Sequence, residues 1–209
     1  MSYLVFDVES VAIASAAEFI EPATAPSNYK DEAKIAAYIE EANREAVAKA
    51  ALDVDLARIV AIGWSAGPET PVVMTAADEH EEYDALETFW AFCITPRPTL
   101  IGFNCIGFDL PLLLRRSLYL GVKAPALQIG KYRHDGIIDL MLSLSFDGAQ
   151  RYRSLGFYKR RFALDVPDDP HTGADIAGLV AAGDWDAVAS HSRADVKTTV
   201  ALARRMGVL

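Results

Sequence analysis

Near the amino terminus, Val5-Phe6-Asp7-Val8-Glu9-Ser10 sets two carboxylates into an apolar run. Residues 3–8 are apolar and β-branched and read as a short strand. Asp7 and Glu9 are two residues apart, a spacing that points both side chains to one face of a strand. Two carboxylates held side by side repel, and neither is cheap to hold near a core. Such a strand either ends in solvent or meets compensating positive charge. A hard divalent cation removes the cost, because Mg²⁺ and Mn²⁺ prefer oxygen ligands.

Composition narrows the setting. The 209 residues suit one domain with a sizeable core, and 52 % of them are hydrophobic, which excludes a disordered tail. No apolar run reaches the ~20 residues of a membrane helix, so no membrane partner is expected. Residues 1–13 lack the basic segment of a signal peptide. The two cysteines, Cys93 and Cys105, have no metal-binding spacing and read as core residues in a reducing, cytoplasmic compartment. A net charge of −9 argues against nucleic-acid binding by bulk attraction, but a site that holds phosphate through metal ions stays open.

Along the chain, residues 21–28 hold Pro22 and Pro26 and read as a loop. Residues 30–52 read as a helix whose stripe of Ile35, Ile39, Ala42, Ala46 and Ala50 packs on a neighbour. Strands follow at 58–64, at 71–75 after a Gly67-Pro68 turn, and at 99–103. Residues 79–92 form an amphipathic helix with Leu86, Phe89, Trp90 and Phe92 as expected core, and residues 110–120 form another that Gly121 ends. Residues 136–144 are an apolar stretch, 166–171 a Pro- and Asp-rich loop, and 174–182 and 185–206 two closing helices. The order predicts an α/β fold: an antiparallel meander extended by parallel strands, with helices on its faces. The whole chain reads as one domain with a helical insertion at 11–57 between the first two strands.

Three further acidic signals stand out. In Asn104-Cys105-Ile106-Gly107-Phe108-Asp109-Leu110-Pro111, a strand end and a glycine turn deliver Asp109 to the start of a helix, the usual place of a cap or first-turn acid. In His191-Ser192-Arg193-Ala194-Asp195, the i, i+4 spacing puts His191 and Asp195 on one helix face, which on its own also describes a surface pair. Asp139, alone in an apolar run, reads as a buried, hydrogen-bonded helix cap.

Taken in order, these stretches resemble the DEDD superfamily of 3′–5′ exonucleases, of ribonuclease H-like fold. The first motif of that superfamily is a strand ending in Asp-x-Glu, here Phe6-Asp7-Val8-Glu9-Ser10. The second is an Asn, a short gap, an aromatic residue and Asp, here Asn104 to Asp109, in the form that resembles the proofreading domain of family-B DNA polymerases and its free-standing relatives. The third is a late helical Asp with Tyr or His one turn before it, here His191 and Asp195. The tyrosine subgroup places Tyr four residues before that Asp and the histidine subgroup places His five before it. This chain carries His191 at the tyrosine spacing, with Ser190 at the other position. The resemblance covers most of residues 2–206, although many relatives join the first two strands more tightly than residues 11–57 do.

The resemblance implies a two-metal phosphodiesterase. Asp7, Glu9, Asp109 and Asp195 would hold two Mg²⁺ or Mn²⁺ ions, with Asp7 bridging them, and His191 would contact the attacking water or the scissile phosphate. The backbone near Glu9 and Ser10 would hold the terminal 3′-hydroxyl. For Phe108 and Leu110, contact with a base and a place in the core are both open, as are strand contact and turn formation for Asn104. The basic patch at 151–161, with Arg151, Arg153 and Lys159, is either a guide for single-stranded backbone or a solvated helix face. The leading reading is an exonuclease on single-stranded DNA 3′ ends, serving replication, repair or proofreading, with a DNA polymerase as a conceivable partner. An exoribonuclease of the same fold keeps the chemistry. A nucleic-acid-binding accessory module with a vestigial site is the third reading, and the presence of all four carboxylates weighs against it. A phosphate-loop nucleotidase is unsupported, because no Gly-x₄-Gly-Lys-Ser/Thr occurs.

Overall fold

The computed structural model describes residues 2–67, 70–94, 97–130 and 134–209; the Pro68 of the expected turn lies outside them. The elements run β1 (Tyr3–Ala12), α1 (Ala16–Phe19), α2 (Glu32–Lys49), a 3₁₀ turn (Ala50–Leu52), β2 (Ala57–Ser65) and β3 (Val72–Thr75). After these come α3 (Glu79–Ile94), β4 (Thr99–Gly102), α4 (Asp109–Leu120), β5 (Ile137–Asp139) and α5 (Leu140–Leu144). The chain closes with α6 (Leu155–Arg161), a second 3₁₀ turn (Gly173–Asp175), α7 (Ile176–Ala182) and α8 (Trp185–Arg205).

Five strands form one mixed sheet in the order β3-β2-β1-β4-β5. β1 pairs antiparallel with β2, and β2 with β3, while β4 runs parallel to both β1 and β5. This is the meander with parallel extension that the order of elements predicts. β1 is central, so its two faces belong to different layers. Leu4, Phe6 and Val8 face a core that includes Leu86, Phe89 and Trp90 of α3 and Leu112 and Leu113 of α4. Val5 faces the opposite way, into a cluster with Val196, Val200 and Leu202 of α8. Strand alternation places Asp7 and Glu9 on that α8 side.

The α3/α4 layer is aromatic. Phe89 lies 5.5 Å from Phe6, 5.9 Å from Trp64 and 5.2 Å from Trp90, centroid to centroid. The buried Trp90 indole N–H donates to Ser117 Oγ at 2.8 Å, so the ring brings no unpaired donor into the core. Beside it, the buried Arg116 guanidinium donates to both oxygens of the buried Glu82, at 2.7 and 2.8 Å. Glu82 also accepts the Ile59 N–H at 2.8 Å and ties β2 to this pair.

On the other face, Gly63 explains how close α8 comes. Gly63 pairs with Asp7 across β1 and β2. A Cβ there would fall 2.6 Å from Ser192 Oγ and 2.9 Å from Val196 Cγ2, both on α8. Only a residue without a side chain lets the helix settle against the strand beside the acidic pair.

Several expectations change. β1 continues to Ala12, and Val11 and Ala12 pair with Arg58 and Ala57, so the segment outside the sheet is shorter than 11–57. β4 ends at Gly102, before Phe103. Phe92 is 45 % exposed, because it sits near the end of α3 and only flanks Trp64, at 5.4 Å. The apolar stripe of α2 is its less exposed face, yet no residue of the helix is buried; Ala50, just after it, is. Cys93 and Cys105 are buried and free, as expected. Among the described residues, no helix is long and apolar enough to cross a membrane.

Candidate active site

Three elements bring the predicted carboxylates together. β1 carries Asp7 and Glu9 at mid-strand, and the register shifts between Glu9 and Ser10, a bulge that turns the strand beside the pair. Asp109 opens α4, one residue inside its cap position, and accepts the Val8 N–H at 3.1 Å. It is thus the first-turn acid of its helix and also a link between α4 and β1. Asp195 comes from α8, together with His191 one turn earlier.

His191 is not part of a surface pair. It is 4 % exposed, because Gly63 lets α8 sit on the sheet. Its Nε2 lies 3.6 Å from Glu9 Oε1 and 4.0 Å from Asp195 Oδ2. Ligand atoms of Glu9, His191 and Asp195 all fall within 4.8 Å of one another. Its Nδ1 meets Oδ2 of Asp169, a residue of the loop before the second 3₁₀ turn.

Crowding shows in the acidities. Burial and then the charges of Glu9, Asp109 and Asp195 hold the Asp7 carboxyl well above the ordinary range. Burial raises Glu9 to about 7 despite the opposing pull of His191. Burial also raises Asp109 to about 7, against the hydrogen bonds from its own and the Val8 N–H. Asp195 is raised by burial too, with His191 opposing. Burial pulls the His191 imidazole down, but Glu9, Asp169 and Asp195 outweigh it and leave it more basic than usual. Four carboxyls that cannot all ionise cheaply form an oxygen donor set of the kind that hard divalent cations satisfy. The residues therefore fit Mg²⁺ or Mn²⁺.

The turn that delivers Asp109 is built on Asp139. This carboxylate is 2 % exposed and caps α5 by accepting the Met141 and Leu142 N–H groups. It also accepts the N–H of Asn104 and of Ile106, both at 3.0 Å, and so fastens the β4–α4 turn. Asn104 adopts φ +60°, and its carbonyl accepts the N–H groups of Gly107 and Phe108. Its place is that of a turn former. Leu110 is fully buried in the α3/α4 core, which removes it from the candidate substrate contacts. Phe108 is half-buried against the same core.

The remaining candidates divide. Ser10 Oγ donates to the Ala51 carbonyl at 2.7 Å and anchors the first 3₁₀ turn to β1. Arg151 and Arg153 are exposed, and the Arg153 guanidinium lies 4.9 Å from the Phe157 ring centroid. Lys159 is instead engaged: its Nζ donates to the Pro167 carbonyl at 2.8 Å and to Asp168 at 2.9 Å. Sequence reasoning missed Asp169, whose only signal was the acidic, proline-containing loop Asp168-Asp169-Pro170.

A mixed sheet with acidic residues converging from its central strand and two helices places the protein in the class of ribonuclease H-like, polymerase-exonuclease folds. The fold is shared with the structure of the family B DNA polymerase from the hyperthermophilic archaeon Pyrobaculum calidifontis, with a TM-score of 0.63 at 15 % identity. The match covers 99 % of this chain and 24 % of that one, so the chain spans about a quarter of the polymerase's length. Residues 50–208 match the family described as predicted 3′-5′ exonuclease related to the exonuclease domain of PolB, and the chain belongs to that family. The matched region includes Asp109, His191 and Asp195; Asp7 and Glu9 precede it. No curated protein matches this sequence.

Proposed function

We propose that the protein is a metal-dependent 3′–5′ exonuclease that hydrolyses phosphodiester bonds at single-stranded DNA ends. The observation that carries the reading is the meeting of Asp7, Glu9, Asp109 and Asp195 on one face of β1, with the carboxyls of Glu9 and Asp109 raised to about 7. In this reading those four residues would hold two Mg²⁺ or Mn²⁺ ions, which would supply Lewis-acid activation of water and stabilisation of the leaving oxygen. His191 Nε2, facing Glu9 and Asp195, takes or orients the proton of the attacking water. The backbone at the Glu9/Ser10 bulge lies beside the carboxylates and receives the terminal nucleotide. Arg151 and Arg153, exposed and without acidic partners among the ion pairs of the described residues, guide the approaching phosphates. Kinship with a polymerase exonuclease domain supports DNA as substrate and association with a polymerase in replication, repair or proofreading.

The test is incubation with 3′- and 5′-labelled single strands of DNA and of RNA, with and without Mn²⁺. Stepwise shortening of 5′-labelled DNA only with metal supports the reading. Shortening of RNA alone moves the substrate to RNA. No shortening of either, at any metal concentration, refutes hydrolysis.

A further inference from the structure

Asp169 lies outside the three elements that carry the carboxylates, yet the structure spends much order on placing it. Its side chain is 11 % exposed. Pro170 follows it and restricts its backbone to extended conformations. Its Oδ1 accepts the His171 N–H at 3.2 Å, which leaves Oδ2 for His191 Nδ1. Just before it, Lys159 Nζ holds the Pro167 carbonyl and the Asp168 carboxylate, so the loop is pinned to α6. Just after it, the Thr172 and Asp175 capping box fixes the second 3₁₀ turn. The carboxylate is thus held from both sides.

A neutral imidazole donates from one nitrogen and accepts at the other. A carboxylate at Nδ1 makes that nitrogen the donor and fixes the ring plane. Nε2 is then the nitrogen left to face Glu9 and Asp195. We infer that Asp169 is a positioning residue, which holds the His191 ring so that Nε2, and not Nδ1, faces the carboxylate cluster. The inference rests on the nuclease reading for its chemical purpose and on the loop geometry for its placement.

The experiment compares Asp169→Ala and Asp169→Asn, each in the parent and in a His191→Ala background. Turnover of a labelled single strand, Mn²⁺ titration calorimetry and the ¹⁵N spectrum of the histidine rings in metal-free protein are recorded. Asp169→Ala should lower kcat by about 10- to 100-fold, the range for loss of a supporting partner, with KM within about twofold. Asp169→Asn, which keeps an acceptor oxygen, should recover part of the loss. In the His191→Ala background, Asp169→Ala should cost nothing further. The Nδ1-bound proton of His191 should be visible in the parent and lost in Asp169→Ala. An equal loss in both backgrounds would make the loop merely structural and overturn the inference. So would a tenfold loss of Mn²⁺ affinity, which would make Asp169 a metal ligand. If the parent cleaves no strand, the nuclease reading falls, and the ring spectrum alone decides the placement: a His191 tautomer indifferent to Asp169 overturns it.

Discussion

Replacing Asp109 by Asn should stabilise the metal-free protein while destroying its proposed activity. Asn is nearly the same shape and keeps an oxygen for the Val8 N–H. The Asp109 carboxyl is raised from 3.8 to about 7 in the fold, chiefly by burial. A folded-state value above the unfolded one means the group favours folding most when it is protonated. That advantage is complete below pH 3.8 and is lost as pH rises to about 7. The difference corresponds to about 4 kcal/mol at pH 8, at about 1.4 kcal/mol per tenfold change. Because protons are shared among the four carboxyls, removing one charge should recover about 2–4 kcal/mol of it. For a domain of this size that is roughly 5–10 °C in Tm. Thermal unfolding in chelator should therefore show Asp109→Asn well above the parent at pH 8 and level with it near pH 3.5. Mn²⁺ at about 1,000 times Kd should reverse the order at pH 8, since it adds about 4.1 kcal/mol to the parent alone. A variant no more stable than the parent at pH 8 in chelator would refute the argument that these carboxyls are crowded and desolvated.

Three other outcomes follow from the same structure. Arg116→Met should cost about 3–5 kcal/mol in urea unfolding, because it leaves the buried Glu82 charge with only the Ile59 N–H; a loss under 1 kcal/mol would mean that water reaches this pair. Gly63→Ala should cost about 1–3 kcal/mol and lower turnover, because its methyl must push Ser192 and Val196, and with them α8, off the sheet; unchanged stability would show that α8 sits less tightly. His191→Ala should leave weak, Mn²⁺-dependent hydrolysis, about 10²- to 10⁴-fold down, whereas Asp195→Ala should leave almost none; equal losses in a single-turnover assay would place His191 among the ligands and not in proton transfer.

Much of the fold is legible because β1, β2 and β4 are short apolar runs and α3, α4 and α8 are long and periodic, so local pattern and burial agree. The carboxylates are legible for the opposite reason: Asp7, Glu9 and Asp109 violate the apolar pattern around them, and such violations gather at functional sites. Asp139 breaks the pattern too, but its side chain closes two turns, and only its role as a helix cap could be read from neighbouring residues. Leu110 was ambiguous because α4 buries one side, and one residue of helical rotation, about 100°, decides whether a side chain meets core or solvent. The stripe on α2 promised packing that the structure gives only in part, since small alanines bury little area even when a neighbour is present. Asp169 could not be found from spacing, because its partner lies 22 residues away and is reached through an irregular loop.

The site draws its side chains from the first strand and from the last helix, with Asp109 between them. During synthesis, Asp7 and Glu9 leave the ribosome long before His191 and Asp195 exist, and contacts of such long sequence separation form late. The acidic strand spends that interval without its partners, and Gly63 keeps open the seat that α8 will take. A nascent or misfolded chain therefore has no assembled site. The side-chain set of the site is complete only in the full tertiary structure, with α8 seated on the sheet.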